Sequence, residues 1–191
     1  MARRRSRAEN PFVRSIRVVV EAARRGRFRV ALIGGFALPF HGVQRATGDV
    51  DFLADAGGAE RLHDALVAAG AECIHRSADA ANYISRRPDL APIDFVFAHR
   101  ERAVDMLRRA PARSLARARL RVPVVDAEGI VGLKLQALVN APSRRARDEA
   151  DIEAVIAAQQ GALDIARLRD YFRVFDREAD LERLLAAVKG R

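Results

Sequence analysis

Apolar positions first recur at helical spacing over residues 11–24, where Val13, Ile16, Val20 and Ala23 follow an Asn10–Pro11 start signal. Arg25-Gly26-Arg27 ends that helix, and the next run, FRVALIGG, is short, β-rich and closed by paired glycines. GFALPFHGV predicts a short helix or turn ending at Gly42. The pattern then predicts a strand over 49–54 and a helix over 59–69, stopped by Gly70. Further strands are expected at 71–76, 81–86 and 92–98, a basic helix at 100–109 and extended pieces around 114–125. From Asp126, a candidate N-cap, the texture is helical: Ile130, Val131, Leu133, Leu135 and Leu138 fill a strongly apolar helix to about Asn140. Ala141-Pro142-Ser143 breaks it, and helices are expected at 144–159, 164–175 and 177–188. The organisation predicted is a basic tail over 1–10, an α+β region over 11–125 and a helical C-terminal region over 126–191.

Composition narrows the class. At 191 residues, half of them apolar and 31% charged, the chain can bury a core without disulfides and is neither disordered nor collagenous. No apolar run approaches the roughly 18 residues of a membrane span, and no apolar stretch follows the basic start MARRRSRAEN, so a cytoplasmic protein is expected. The lone Cys73, expected in the core, excludes an internal disulfide and a cysteine-built metal site. Net charge is +9, unevenly spread: +8 over residues 1–30, −4 over 31–99, +6 over 100–121 and −1 thereafter. An acidic middle between basic stretches fits carboxylates that hold metal while flanking arginines attract a polyanion. With 32 of the 34 basic residues arginine, a plain codon bias filling solvated helix faces explains the charge equally simply.

The chemistry concentrates in LIGGFALPFHGVQRATGDVDFL, residues 32–53. A strand that ends in Gly34-Gly35 and opens a helix lets a phosphate approach backbone that no side chain shields, although paired glycines also make ordinary tight turns. In Asp49-Val50-Asp51-Phe52, strand alternation puts Asp49 and Asp51 on one face, their Cα atoms about 6.5–7 Å apart, with Val50 and Phe52 on the other. Two carboxylates on one face either line a wet edge or share a cation, for which Mg²⁺ is the natural choice. In PIDFVFAH the alternation leaves Asp94 opposite Ile93, Phe95 and Phe97. If the two strands are neighbours, three carboxylates converge, enough to hold two Mg²⁺ ions.

Gly34-Gly35, then Asp49-Val50-Asp51 fourteen and sixteen residues after Gly35, then Asp94 in a later strand, resembles the nucleotidyltransferase superfamily of DNA polymerase β type. The closer likeness is to the AbiEii/AbiGii-type toxin nucleotidyltransferases, through Arg45-Ala46-Thr47-Gly48-Asp49-Val50-Asp51, the helix lysine of Leu133-Lys134-Leu135, and Arg147-Asp148 with Asp151. The Gly35–Asp49 spacing is long for the superfamily. The resemblance implies a small mixed sheet with flanking helices, a nucleoside triphosphate (NTP) held at Gly34 and Gly35, and two Mg²⁺ ions on Asp49, Asp51 and Asp94. It implies that Asp94 helps deprotonate an attacking hydroxyl, that Arg45 and Thr47 steady phosphate or orient the acidic strand, and that Lys134 contacts the triphosphate. It also implies a possible antitoxin protein as partner, and the basic segments favour RNA, tRNA included, as acceptor.

Each residue has a plainer reading. Lys134, inside a helix apolar on most faces, needs a negative partner, which a structural acid supplies as well as a phosphate does. Asp148 and Asp151 fit a helix start through the dipole. His41, His63, His75 and His99 have no metal-ligand spacing and no expected catalytic role. The alternative function is a non-catalytic module that keeps the fold and binds RNA or protein through its arginine-rich stretches.

Overall fold

A computed structural model describes residues 9–115, 118–140, 143 and 145–189. Most of the basic tail, Ala141-Pro142 of the predicted break and Arg144 lie outside them. Helix α1 (Pro11–Gly26) begins as expected: the Asn10 side chain accepts from the Phe12 N–H and Pro11 sits in the first turn. Strand β1 (Val30–Ile33) is buried throughout and runs into a four-residue helix, α2 (Gly34–Ala37), and a 3₁₀ turn, Leu38–His41. Then come β2 (Val50–Asp55), α3 (Ala59–Ala68), β3 (Glu72–Arg76), β4 (Ala80–Ile84) and β5 (Ile93–Ala98). Helix α4 (Glu101–Arg109) leads to a hairpin of β6 (Ala112–Leu115) and β7 (Leu120–Pro123), the pieces expected only to be extended. Helices α5 (Ala127–Asn140), α6 (Arg145–Ala158), α7 (Ile165–Arg173) and α8 (Glu178–Lys189) complete the chain.

The main sheet is mixed, in the order β1-β2-β5-β4-β3. Only the β2–β5 pair is parallel; β1–β2, β5–β4 and β4–β3 are antiparallel. The α+β class with a small mixed sheet and flanking helices is therefore what the chain adopts. On β2 and β5, Val50, Phe52, Ile93 and Phe95 are buried on one face, with the Phe52 and Phe95 rings 5.9 Å apart. The other face carries Asp51 and Asp94.

Asp126 caps α5 through a 2.9 Å bond from the Gly129 N–H to Oδ1, as the sequence predicts. Just before it, the Val125 N–H donates to Leu32 O, which locks the start of α5 against β1. At the same end, Arg167 of α7 pairs with Glu128 at 2.5 Å and with Asp126 at 3.1 Å. One apolar cluster runs from Ile16 to Val188 and includes residues of the sheet and of α5 to α8. Cys73 differs from expectation: it is only half-buried, because β3 is the outer strand and its bulge lies between Cys73 and His75.

Candidate active site

Asp51 stands opposite Ile33 of β1 and, on its other side, opposite Asp94 of β5. The parallel β2–β5 pairing thus makes the two acids register partners on one face, although 42 residues separate them in the chain. Asp49 arrives differently from expectation. Strand β2 begins at Val50, so Asp49 sits in a bend and strand alternation does not aim it. Its orientation comes from Thr47, whose hydroxyl donates to Asp49 Oδ1 at 2.6 Å. Carboxylate oxygens of Asp49, Asp51 and Asp94 all lie within 4.8 Å of one another.

The two glycines are required by what lies against them. Gly34 has φ +61°, and a Cβ there would fall on the Asp51 carboxylate. A Cβ on Gly35 would come within 2.6 Å of Thr47 Cβ and 2.9 Å of Arg45 Nη2. Gly-Gly therefore lets the 43–49 segment and the first acidic residue of β2 close directly over the end of β1. The long Gly35–Asp49 spacing is absorbed by the 3₁₀ turn and this overlying segment.

Arg45 reaches away from the acids to α6, where Nη1 pairs with Asp151 at 2.7 Å. Asp151 also receives Lys134 of α5 at 2.5 Å, and Lys134 pairs with Asp148 at 2.8 Å. Lys134, Asp148 and Asp151 are 7%, 1% and 5% exposed, so these acids are partners in a buried ion cluster and not solvated helix-start residues. Among the described residues Arg45 and Lys134 share Asp151, and the lysine does not snorkel. Such a cluster costs desolvation and holds only with good geometry, which suits a role in fixing the position of the 43–49 segment.

A cleft of about 500 Å³ joins these parts. Gly34, Gly35, Arg45, Asp49 and Asp51 line one side, and Ile130, Leu133, Lys134 and Ala137 of α5 line the other. Asn82 of β4, not singled out by the sequence, donates to Asp94 Oδ1 at 2.7 Å; strand alternation gives it the right face, but only the β4–β5 register places it beside Asp94. Gln136, Asn140 and Arg147 also border the cleft.

Asp49 accepts from the Thr47 hydroxyl and Asp94 from the Asn82 amide, both neutral donors. Three carboxylates so close repel unless a cation joins them. An all-oxygen donor set of this kind suits Mg²⁺, so Asp49, Asp51 and Asp94 fit the ion. His41 is buried away from this chemistry: its Nε2–H donates to Val125 O at 2.8 Å. Burial holds its pKa below the ordinary value, the carbonyl partner and nearby acids only partly opposing that.

A family model described as nucleotidyl transferase AbiEii toxin, type IV TA system, matches residues 19–189. No curated protein sequence matches the chain. Among solved structures, ANT(2'')-Ia in complex with adenylyl-2''-tobramycin is similar, with TM-score 0.60 and 17% identity over 85% of this chain and 97% of that one. An antigenic nucleotidyltransferase-like protein from Paracoccidioides brasiliensis has TM-score 0.57 and 19% identity over 94% of each chain. A putative nucleotidyltransferase from Thermotoga maritima has TM-score 0.51 and 13% identity over 76% of this chain and 97% of that one.

Proposed function

Because this chain belongs to the AbiEii family of nucleotidyl transferases, we propose that it transfers a nucleoside monophosphate from an NTP to a hydroxyl acceptor. The observation that carries the proposal is the convergence of Asp49, Asp51 and Asp94 beside the unshielded backbone of Gly34 and Gly35. Asp49, Asp51 and Asp94 would hold two Mg²⁺ ions. Bound there, the ions would neutralise phosphate charge and align the reacting oxygens.

The chain's own groups do the rest. Gly34 and Gly35 leave room for the triphosphate, and Arg45 and Lys134 line the same cleft as its counter-charges. Thr47 keeps Asp49 turned to the site. Asn82 holds Oδ1 of Asp94, leaving Oδ2 to take the proton of the attacking hydroxyl. The hydroxyl oxygen bonds to the α-phosphorus, the bond from that phosphorus to the bridging oxygen breaks, and pyrophosphate leaves. Catalysis of this kind comes mainly from positioning and charge neutralisation.

RNA is the favoured acceptor, supported by the net charges of +8 over residues 1–30 and +6 over 100–121. A small polyhydroxyl acceptor is the second reading, favoured by the adenylyl-tobramycin held by the similar fold of ANT(2'')-Ia. The family's toxin–antitoxin description supports an antitoxin protein as partner. The test is label transfer from each α-labelled NTP, with Mg²⁺ and total bacterial RNA, beside the Asp49→Ala/Asp51→Ala variant. Labelled RNA that disappears in the variant is expected. Label in neither RNA, protein nor added aminoglycoside, from a folded sample that binds no NTP, would favour a non-catalytic binding module.

A further inference from the structure

Polarity is graded along the cleft. At the β1–β2 end stand Asp49, Asp51, the glycines, Arg45 and Lys134, with Asp94 next to Asp51 on the neighbouring strand, all used by the ion cluster, the metal or the phosphates. At the other end α5 presents Leu133, Gln136, Ala137 and Asn140, spaced three, four and seven residues apart and so on one stripe of the helix. Leu133 and Ala137 in this stripe are only half-buried, although the neighbouring Ile130, Leu135 and Leu138 are in the core. Neither amide, Gln136 or Asn140, makes a hydrogen bond within the described residues. From Lys134 to Asn140 is six residues, about 9 Å of helical rise.

We propose that this stripe of α5 seats the nucleobase, with Gln136 and Asn140 reading its edge; the proposal rests on the nucleotidyl-transfer reading above. A base needs a flat apolar support and, at its rim, groups that both donate and accept. Leu133 and Ala137 supply the first, and the two primary amides supply the second, as Asn and Gln do when they pair with base edges elsewhere. A phosphate seat needs the opposite, positive charge, which Mg²⁺ held by Asp49, Asp51 and Asp94 would supply at the glycine end of the cleft. The carboxamides are thus specificity-determining residues, placed where one ribose would separate them from the α-phosphate.

The experiment measures binding of the four NTPs, and of inorganic tripolyphosphate, in Mg²⁺ to wild type and to Gln136→Leu/Asn140→Leu. Wild type is expected to prefer one NTP or a subset by about tenfold or more, the discrimination a bidentate base contact provides. The double variant should bind all four within about threefold while its tripolyphosphate affinity stays unchanged, since only the contact to the base edge is removed. Gln136→Glu, which replaces the amide donor with a second acceptor, should shift preference away from UTP, whose base alone among the four has no exocyclic amino donor. Wild type that binds all four NTPs alike, or a double variant that keeps the wild-type preference, overturns the base seat and leaves the transfer reading standing. Wild type that binds neither NTPs nor tripolyphosphate overturns the transfer reading, and the base seat with it.

Discussion

Gly34→Ala tests whether the Gly-Gly pair exists for the acids or only for a turn. Two separate effects meet at this position. The first is backbone: at φ +61° an alanine is held in the left-handed region, which costs about 1–2 kcal/mol. The second is collision, because the new Cβ would lie on the Asp51 carboxylate. Turning the carboxylate would relieve the contacts to Oδ2 and Cγ, but Asp51 Cβ, 2.7 Å from the new Cβ, moves only with the backbone of β2, so the collision should cost stability as well as metal-site geometry. Gly161→Ala separates the two effects, since Gly161 has φ +81° with nothing within 4 Å of the added Cβ. For a chain of this size 1 kcal/mol moves Tm by about 2–4 °C, so Gly161→Ala should melt about 2–8 °C below wild type and Gly34→Ala lower still. Only Gly34→Ala should lose Mn²⁺ binding and label transfer, the latter by about 100-fold or more, the size of effect that misplacing a reacting group by about 1 Å produces. Calorimetry with Mn²⁺ titration by electron paramagnetic resonance reads both quantities. Gly34→Ala that binds Mn²⁺ and transfers label like Gly161→Ala would show that the close approach of Asp51 to Gly34 does not govern the site.

Thr47→Val removes the hydroxyl that orients Asp49, a charged-group hydrogen bond worth about 1.5–3 kcal/mol. It should raise the Mg²⁺ concentration needed for half-maximal transfer about tenfold or more, whereas Thr47→Ser should not, as a metal titration of the rate will show. Asp151→Ala strips Arg45 and Lys134 of a shared buried carboxylate and should cost about 3 kcal/mol, the lower end for breaking a buried pair because Arg45 is partly exposed. Urea unfolding checks that value, and Asp151→Glu should recover part of it. His41 is neutral when buried, so its folded pKa lies below the unfolded 6.5. The unfolded chain then binds the extra proton first: stability is full above about pH 6.5 and falls as pH drops through the folded pKa. Tm measured from pH 7.5 to 5.5 should fall less in His41→Gln than in wild type.

Much of this site was legible from local chemistry. Gly34-Gly35, the alternation around Asp51 and Asp94, and the Asp126 cap each depend on neighbours within a few residues, and each element formed close to its predicted bounds. Alternation with Val50 and Phe52 predicts a strand at Asp49, yet a side-chain bond from Thr47, outside the strand, aims it. Contacts between distant segments left no local trace. Arg45 meets Asp151 across 106 residues, and Asn82 meets Asp94 only because β4 and β5 pair in one register. The partners of Lys134 were open between phosphate and acid for the same reason: which residues of α6 face α5 is decided by packing. Its place in a predicted strand suggests a core position for Cys73, but an edge strand and a bulge leave it half-covered.

The most direct measurement follows two labels side by side. The protein is incubated with Mg²⁺, an acceptor pool and the same NTP labelled at the α- or the γ-phosphate. Nucleotidyl transfer predicts that the α-label becomes covalently attached to the acceptor while the γ-label appears only in pyrophosphate. γ-Label on the acceptor, or release of γ-labelled orthophosphate without any α-transfer, would contradict the account, because the chemistry would then be phosphoryl transfer or hydrolysis at the other end of the triphosphate.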